Sequence, residues 1–126
     1  MRILQPVTGF LILCLLLISM GCASMTPRDQ MKFGIEAARH QLWDEAIFRW
    51  KKILQDNPGS ASALNNLAVA YEQKGLPEAA EKAYLEALKL DPENDRIQSN
   101  FNKFKKNLAE EEEPEKEDKK RREVIR

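Results

Sequence analysis

Apolar residues crowd the start of the chain and turn periodic afterwards. Phe10 to Ile18 form an unbroken apolar run of nine residues, preceded by a single cation at Arg2. A membrane-spanning helix needs about 20 apolar residues, whereas nine to fifteen is about the length of a signal-peptide core. Beyond this segment apolar positions recur at helical spacing. Thr26 as N-cap, Pro27 in the first turn and Asp29 in the capping-box position open a first helix, Pro27 to about Gln41. Asp44 is placed to cap a second, from about Glu45 to Gln55, which Asn57-Pro58-Gly59 ends. Ser60 caps a third, Ala61 to Lys74, with Gly75 as a left-handed stop. Pro77 opens a fourth, to about Leu90, and Asp91-Pro92 breaks it. A fifth is predicted from Asp95 to Leu108. There Ile97, Phe101, Phe104 and Leu108 make one apolar stripe, opposite Arg96, Lys103, Lys105 and Lys106.

Pro58 and Pro92 stand 34 residues apart. The second unit reads Leu64-x2-Leu67-Ala68-x2-Tyr71, then Ala80-x3-Tyr84, Ala87 and Pro92. The first reads Phe33-Gly34, Ala46-x3-Trp50 and Pro58, with Gln30 where the pattern has Trp and Ala37 where it has Tyr. This period and pattern resemble the tetratricopeptide repeat (TPR) family. The resemblance covers Pro27 to Pro92. It implies an all-α fold of two helix-turn-helix repeats, 27–60 and 61–94, plus a C-terminal capping helix, 95–112, as a short right-handed α-solenoid. Ala46, Ala68 and Ala80 let paired helices approach closely, and Trp50, Tyr71 and Tyr84 fill the space between pairs. No pair buries its apolar face alone, so pairs stack.

A third repeat would need another helix after the fifth, but Glu110-Glu111-Glu112-Glu113-Pro114 follows, so the fifth helix is expected to close the array. Residues 113–126 are almost wholly charged and are expected to be a disordered tail. Glu115–Lys119 and Asp118–Arg122 are spaced to support transient helix there. A functional reading of the tail is contact with a partner or anionic lipid.

The junction Ile18-Ser19-Met20-Gly21-Cys22 resembles the bacterial lipoprotein box. The resemblance implies a lipoprotein signal peptide over 1–21, cut after Gly21. It makes Cys22 the diacylglyceryl (palmitate-type) carrier on a short linker, 22–26. Ser19 departs from the Leu that the family prefers, and Met20 is also unusual. The alternatives are a signal peptide with a free Cys, or an uncleaved anchor from Ile3 to Met20. Ala23 stands where an Asp would signal inner-membrane retention, which favours the outer membrane, facing the periplasm, in a Gram-negative host. Several acyl chains on one Cys hold a protein firmly to a bilayer.

The 126 residues leave room for one small domain. Lys plus Arg and Asp plus Glu number 20 each, giving zero formal charge, which argues against nucleic acid as a partner. Two Cys and one His rule out a metal site built from several such ligands. Cys14 leaves with the signal segment and Cys22 is taken by lipid, so no Cys–His nucleophile remains. His40 reads as a surface residue near a helix C-terminus. Trp50 reads as core, and Trp43 lies at the turn between helices. No cofactor is implied, and an enzyme is not expected.

TPR proteins bind peptides or partner helices in a groove lined by the first helix of each pair. The resemblance assigns that lining to Met31, Ile35, Ala38 and Arg39, to Asn65, Asn66, Val69 and Gln73, and to Arg96 and Asn100. Asn66 stands at an Asn position of the family's carboxylate clamp, but Met31 and Ile35 are apolar where the clamp is polar. A clamp for charged C-termini is therefore not implied; a mixed polar and aliphatic groove is. The leading expectation is an envelope lipoprotein acting as an interaction module or adaptor in assembly or secretion. The alternative is a structural subunit that self-associates, or completes a larger complex, through its repeat ends.

Overall fold

The computed structural model describes residues 25–124. The expected signal segment 1–21 and Cys22 lie outside the described residues. Among the described residues there are five helices: α1 (Pro27–Arg39), α2 (Trp43–Asp56), α3 (Ala61–Gln73), α4 (Pro77–Leu90) and α5 (Asp95–Val124). They form two helix-turn-helix pairs, α1–α2 and α3–α4, with α5 packed against the second. No described helix is long and apolar enough to cross a membrane.

The ends of the helices follow local chemistry. Thr26 Oγ1 accepts the Asp29 N–H at 3.2 Å, and the Asp29 carboxylate accepts the Thr26 N–H at 3.2 Å. The capping box is complete. Ser60 Oγ accepts the Ala63 N–H at 3.3 Å at the start of α3. Asp44 does not cap α2. That helix begins earlier, at Trp43, after Leu42 and without a side-chain cap. Asp44 lies instead in its first turn, where the helix dipole favours an acid, and pairs with Lys74 at the end of α3. One ion pair therefore joins the two repeats. Gly75 takes φ 67°, and Gln41, 34 residues earlier, takes φ 59°. This left-handed residue is why α1 ends at Arg39, short of Gln41, and why α3 ends at Gln73.

Packing fills three linked clusters. The first joins Ala37, Ala46, Ile47, Trp50 and Ile53 of the first pair to Ala63, Leu67 and Ala70 of α3. Its tightest point is Gly34, where an added Cβ would lie 2.4 Å from Trp50 Nε1. Only glycine permits that approach. The second cluster joins Ala68, Ala80, Ala83 and Tyr84 to Phe101 and Phe104 of α5. The Tyr84 ring centroid lies 5.6 Å from Phe101 and 5.5 Å from Phe104. The third is Leu64, Ala87 and Ile97. Ala46, Ala68 and Ala80 are wholly buried, as close helix approach requires. Gln30, at the pattern's Trp position, is also buried, and its amide oxygen accepts from Arg49 at 3.3 Å. That bond is how a polar side chain occupies an aromatic position.

The C-terminal part departs from expectation. The apolar stripe of α5 is in place: Ile97, Phe101 and Phe104 are buried and Leu108 is half-buried. The helix does not stop near residue 112, however. It continues through the charged segment to Val124, with Pro114 inside it. Glu, Lys, Arg and Ala are strong helix formers, and ion pairs one turn apart support them: Lys106–Glu110 at 3.7 Å and Asp118–Arg122 at 2.6 Å. The side chains of Glu115 and Lys119 lie outside the described ones. Pro114 removes one backbone donor, so the helix continues there with one ladder bond missing.

Two outcomes are expected. Gln41→Gly relieves a left-handed side-chain residue and raises stability by about 1 kcal/mol, read from the urea midpoint. Burial, the nearby Glu72 charge and the hydrogen bond to Glu72 hold the Tyr84 phenol well above its usual value of 10.0. A folded-state value above the unfolded one contributes stability at pH below the unfolded value and loses it as pH rises. The urea midpoint should therefore fall as pH rises beyond about 10, and fall less in Tyr84→Phe.

Candidate functional site

The first helices of the pairs, α1 and α3, and the start of α5 are tied side by side through polar groups. Asn66 Nδ2 donates to Met31 Sδ at 3.3 Å, joining α3 to α1. Asn65 Nδ2 donates to Asn66 Oδ1 at 3.4 Å. Asn100 Nδ2 donates to Asn65 Oδ1 at 3.1 Å, joining α5 to α3. A continuous row, Met31–Asn66–Asn65–Asn100, thus crosses three helices. Four of the residues expected to line a groove are brought together in it.

The others lie around this row. Ile35 is 46% exposed, one helical turn beyond Met31. Ala38 is half-buried against the first cluster, and Val69 is half-buried against the second. Arg39 is exposed and pairs with Glu36 at 3.5 Å. Arg96 and Gln73 are exposed. Asn65 differs from its expected role. At 3% exposure its amide is spent inside the protein, so it forms floor and not rim. Asn66 keeps more capacity. Its donor faces a thioether, which is a weak acceptor, and a peptide carbonyl is a stronger partner for the same N–H.

Glu72 is a functional candidate that sequence reasoning passed over. Its half-buried carboxylate accepts from Tyr84 Oη at 3.2 Å and from Asn107 Nδ2 at 3.5 Å. It opens on a cavity of about 420 Å³ between the end of α3 and α5, lined also by Gln73, Gly75, Phe104, Asn107 and Leu108. A signal for it exists in the sequence. Met31–Asn66, Asn65–Asn100 and Glu72–Asn107 are each separated by 35 residues, one repeat plus one position. Polar residues at that offset mark the bonds that tie neighbouring first helices.

Among the described residues, no group of three or more His, Cys, Asp or Glu is placed to hold a metal ion. His40 is exposed, 3.1 Å from Glu36. Trp43 is half-buried at the start of α2 and packs on the first cluster. What the site offers chemically is amide donors and acceptors interleaved with the aliphatic Met31, Ile35 and Val69. That combination suits an extended backbone carrying small or apolar side chains.

A family model described as tetratricopeptide repeat matches residues 31–95, a little over half of the chain. No curated relative matches.

Asn65→Leu should cost about 1–3 kcal/mol, because it strands its half-buried partners Asn66 and Asn100. Asn66→Ala should cost less than about 1 kcal/mol, since it loses one donor bond to sulfur and one long acceptor bond, at 3.4 Å from Asn65. Urea unfolding of both variants gives the comparison, and equal losses would contradict the assignment of floor and rim.

Proposed function

The chain belongs to the tetratricopeptide repeat family, and on that premise we propose that it is a membrane-anchored interaction module, an adaptor that holds a protein or peptide segment at the bacterial envelope. The observation that carries the binding part is the row Met31–Asn66–Asn65–Asn100. It fixes three helices in register and leaves Asn66 beside exposed or half-exposed aliphatic groups. Repeats of this kind generally bind protein or peptide partners, and nothing in the row selects a charged C-terminus.

The anchoring part rests on the lipoprotein-box resemblance at Gly21-Cys22. An acylated Cys22 places the module on the membrane through lipid. Only residues 23–26 separate it from α1, so the domain rides within about 15–20 Å of the surface. Ala23 is consistent with the outer membrane, facing the periplasm, in a Gram-negative host. Assembly or secretion of envelope components is the setting in which a surface-tethered groove of this size is useful.

A photocrosslinker at Asn66, with the exposed Glu81 on α4, the second helix of the same pair, as control, should give a discrete adduct with another protein from Asn66 alone. Deleting 27–108 while retaining the N-terminal segment should abolish that capture. Equal adducts from both positions, or capture that survives the deletion, would contradict groove binding.

A further inference from the structure

We propose that the outer edge of the first repeat, built by Met25, Phe33, Phe48 and Arg49, rests directly on the lipid bilayer, so that the domain is held by a surface as well as by its tether. This inference rests on the anchoring part of the reading above.

The edge is unlike the rest of the molecule. Phe33 is 50% exposed, Phe48 57% and Met25 38%. The Arg49 guanidinium lies 5.8 Å from the Phe33 ring centroid and 5.6 Å from that of Phe48. The same side chain approaches Met25 Sδ at 3.2 Å and pairs with Glu45 at 2.5 Å. Two aromatic rings, a thioether and a cation therefore form one patch. In the second repeat the positions equivalent to Phe33 and Arg49 are covered, and the one equivalent to Phe48 is an exposed lysine, Lys82. Leu67, 34 residues after Phe33, is 6% exposed, and Ala83, 34 after Arg49, is 5% exposed. There α2 covers Leu67, which joins its cluster, and Ala83 packs with Tyr84 and the α5 aromatics. Before α1 no described element does so.

The bilayer is the occupant that the chain itself points to. The 24 residues that precede the described ones contain the apolar run 10–18, and they join the fold at Met25, inside the patch. Cys22 stands three residues earlier, a reach of at most about 11 Å. Whether residue 22 is acylated or the apolar segment stays as an anchor, the membrane begins beside this edge. The chemistry fits. Phenylalanine and methionine enter the region between headgroups and acyl chains, and the arginine stem covers apolar surface while its guanidinium stays paired with Glu45. Leu85, another exposed large apolar residue, lies on α4 in the second pair.

The test uses the full chain reconstituted into vesicles of phosphatidylethanolamine and phosphatidylglycerol. Nitroxide labels are placed one at a time by Phe33→Cys, Phe48→Cys and Leu85→Cys, with the unsubstituted chain reporting any reactive Cys22. Each label is read for collision with oxygen, which concentrates in lipid, and with a water-soluble nickel chelate. All three positions are exposed, and circular dichroism verifies that each variant folds. Labels at 33 and 48 should collide several-fold more with oxygen relative to nickel than the label at 85. Membrane-bound chains whose three labels are equally water-accessible would overturn the edge contact and leave the anchor standing. Spin–spin broadening at 33 and 48 would show a second copy on the edge and also overturn it. Chains that fail to sediment with the vesicles, with Cys22 free to react, would overturn the anchor and the contact together.

Discussion

The contact on which the fold depends is the seat of the Trp50 indole over Gly34. It sets how closely α1 and α2 approach, and the groove between them leads into α3 through Leu67 and Ala70. A methyl group at residue 34 would occupy the indole's place and push the first pair apart. The distortion would travel, because each pair is stable only through its neighbour. The indole N–H carries a cost here, since it is buried without a hydrogen-bond partner. Ring burial outweighs it, as the surrounding alanines and isoleucines show.

Much of this was legible in the chain. The alanines, the aromatic four residues after Ala46 and Ala80, and the prolines 34 apart fix which faces meet, because steric limits act on residue type and spacing. The capping box at Thr26 and the left-handed Gly75 are equally local. The misreadings have a common source. Asp44 looked like a cap because it is a good capping residue, but the turn through Gln41 starts α2 two residues sooner. The charged segment looked disordered because it buries nothing. Helix propensity and ion pairs one turn apart need no burial, so the α5 backbone carries on from its packed portion without a new nucleation step.

The site was legible in its location but less so in its division of labour. Helical position placed Met31, Asn65, Asn66 and Asn100 on one layer. It could not separate Asn65 from Asn66, because adjacent residues on a helix differ in depth only through what packs beside them. Burial separates them, with Asn65 3% exposed and Asn66 half-buried, while each makes one bond at the 35-residue offset. A side chain that reaches the neighbouring first helix does so one position out of repeat register, and such reaching residues tie the layer together. Glu72 and Asn107 belong to the same scheme.

The far end of α5 has a mechanical meaning. From Leu108 to Val124 it extends about 24 Å at 1.5 Å per residue, as a slender beam clamped at one end by Phe101 and Phe104. Its bending stiffness comes from a single backbone ladder, weakened at Pro114 and braced by side-chain ion pairs that dissolved salt screens. The beam should be stiffer in dilute solution and more compliant in brine. Ionic strength outside the molecule therefore sets how far its tip wanders from the repeats.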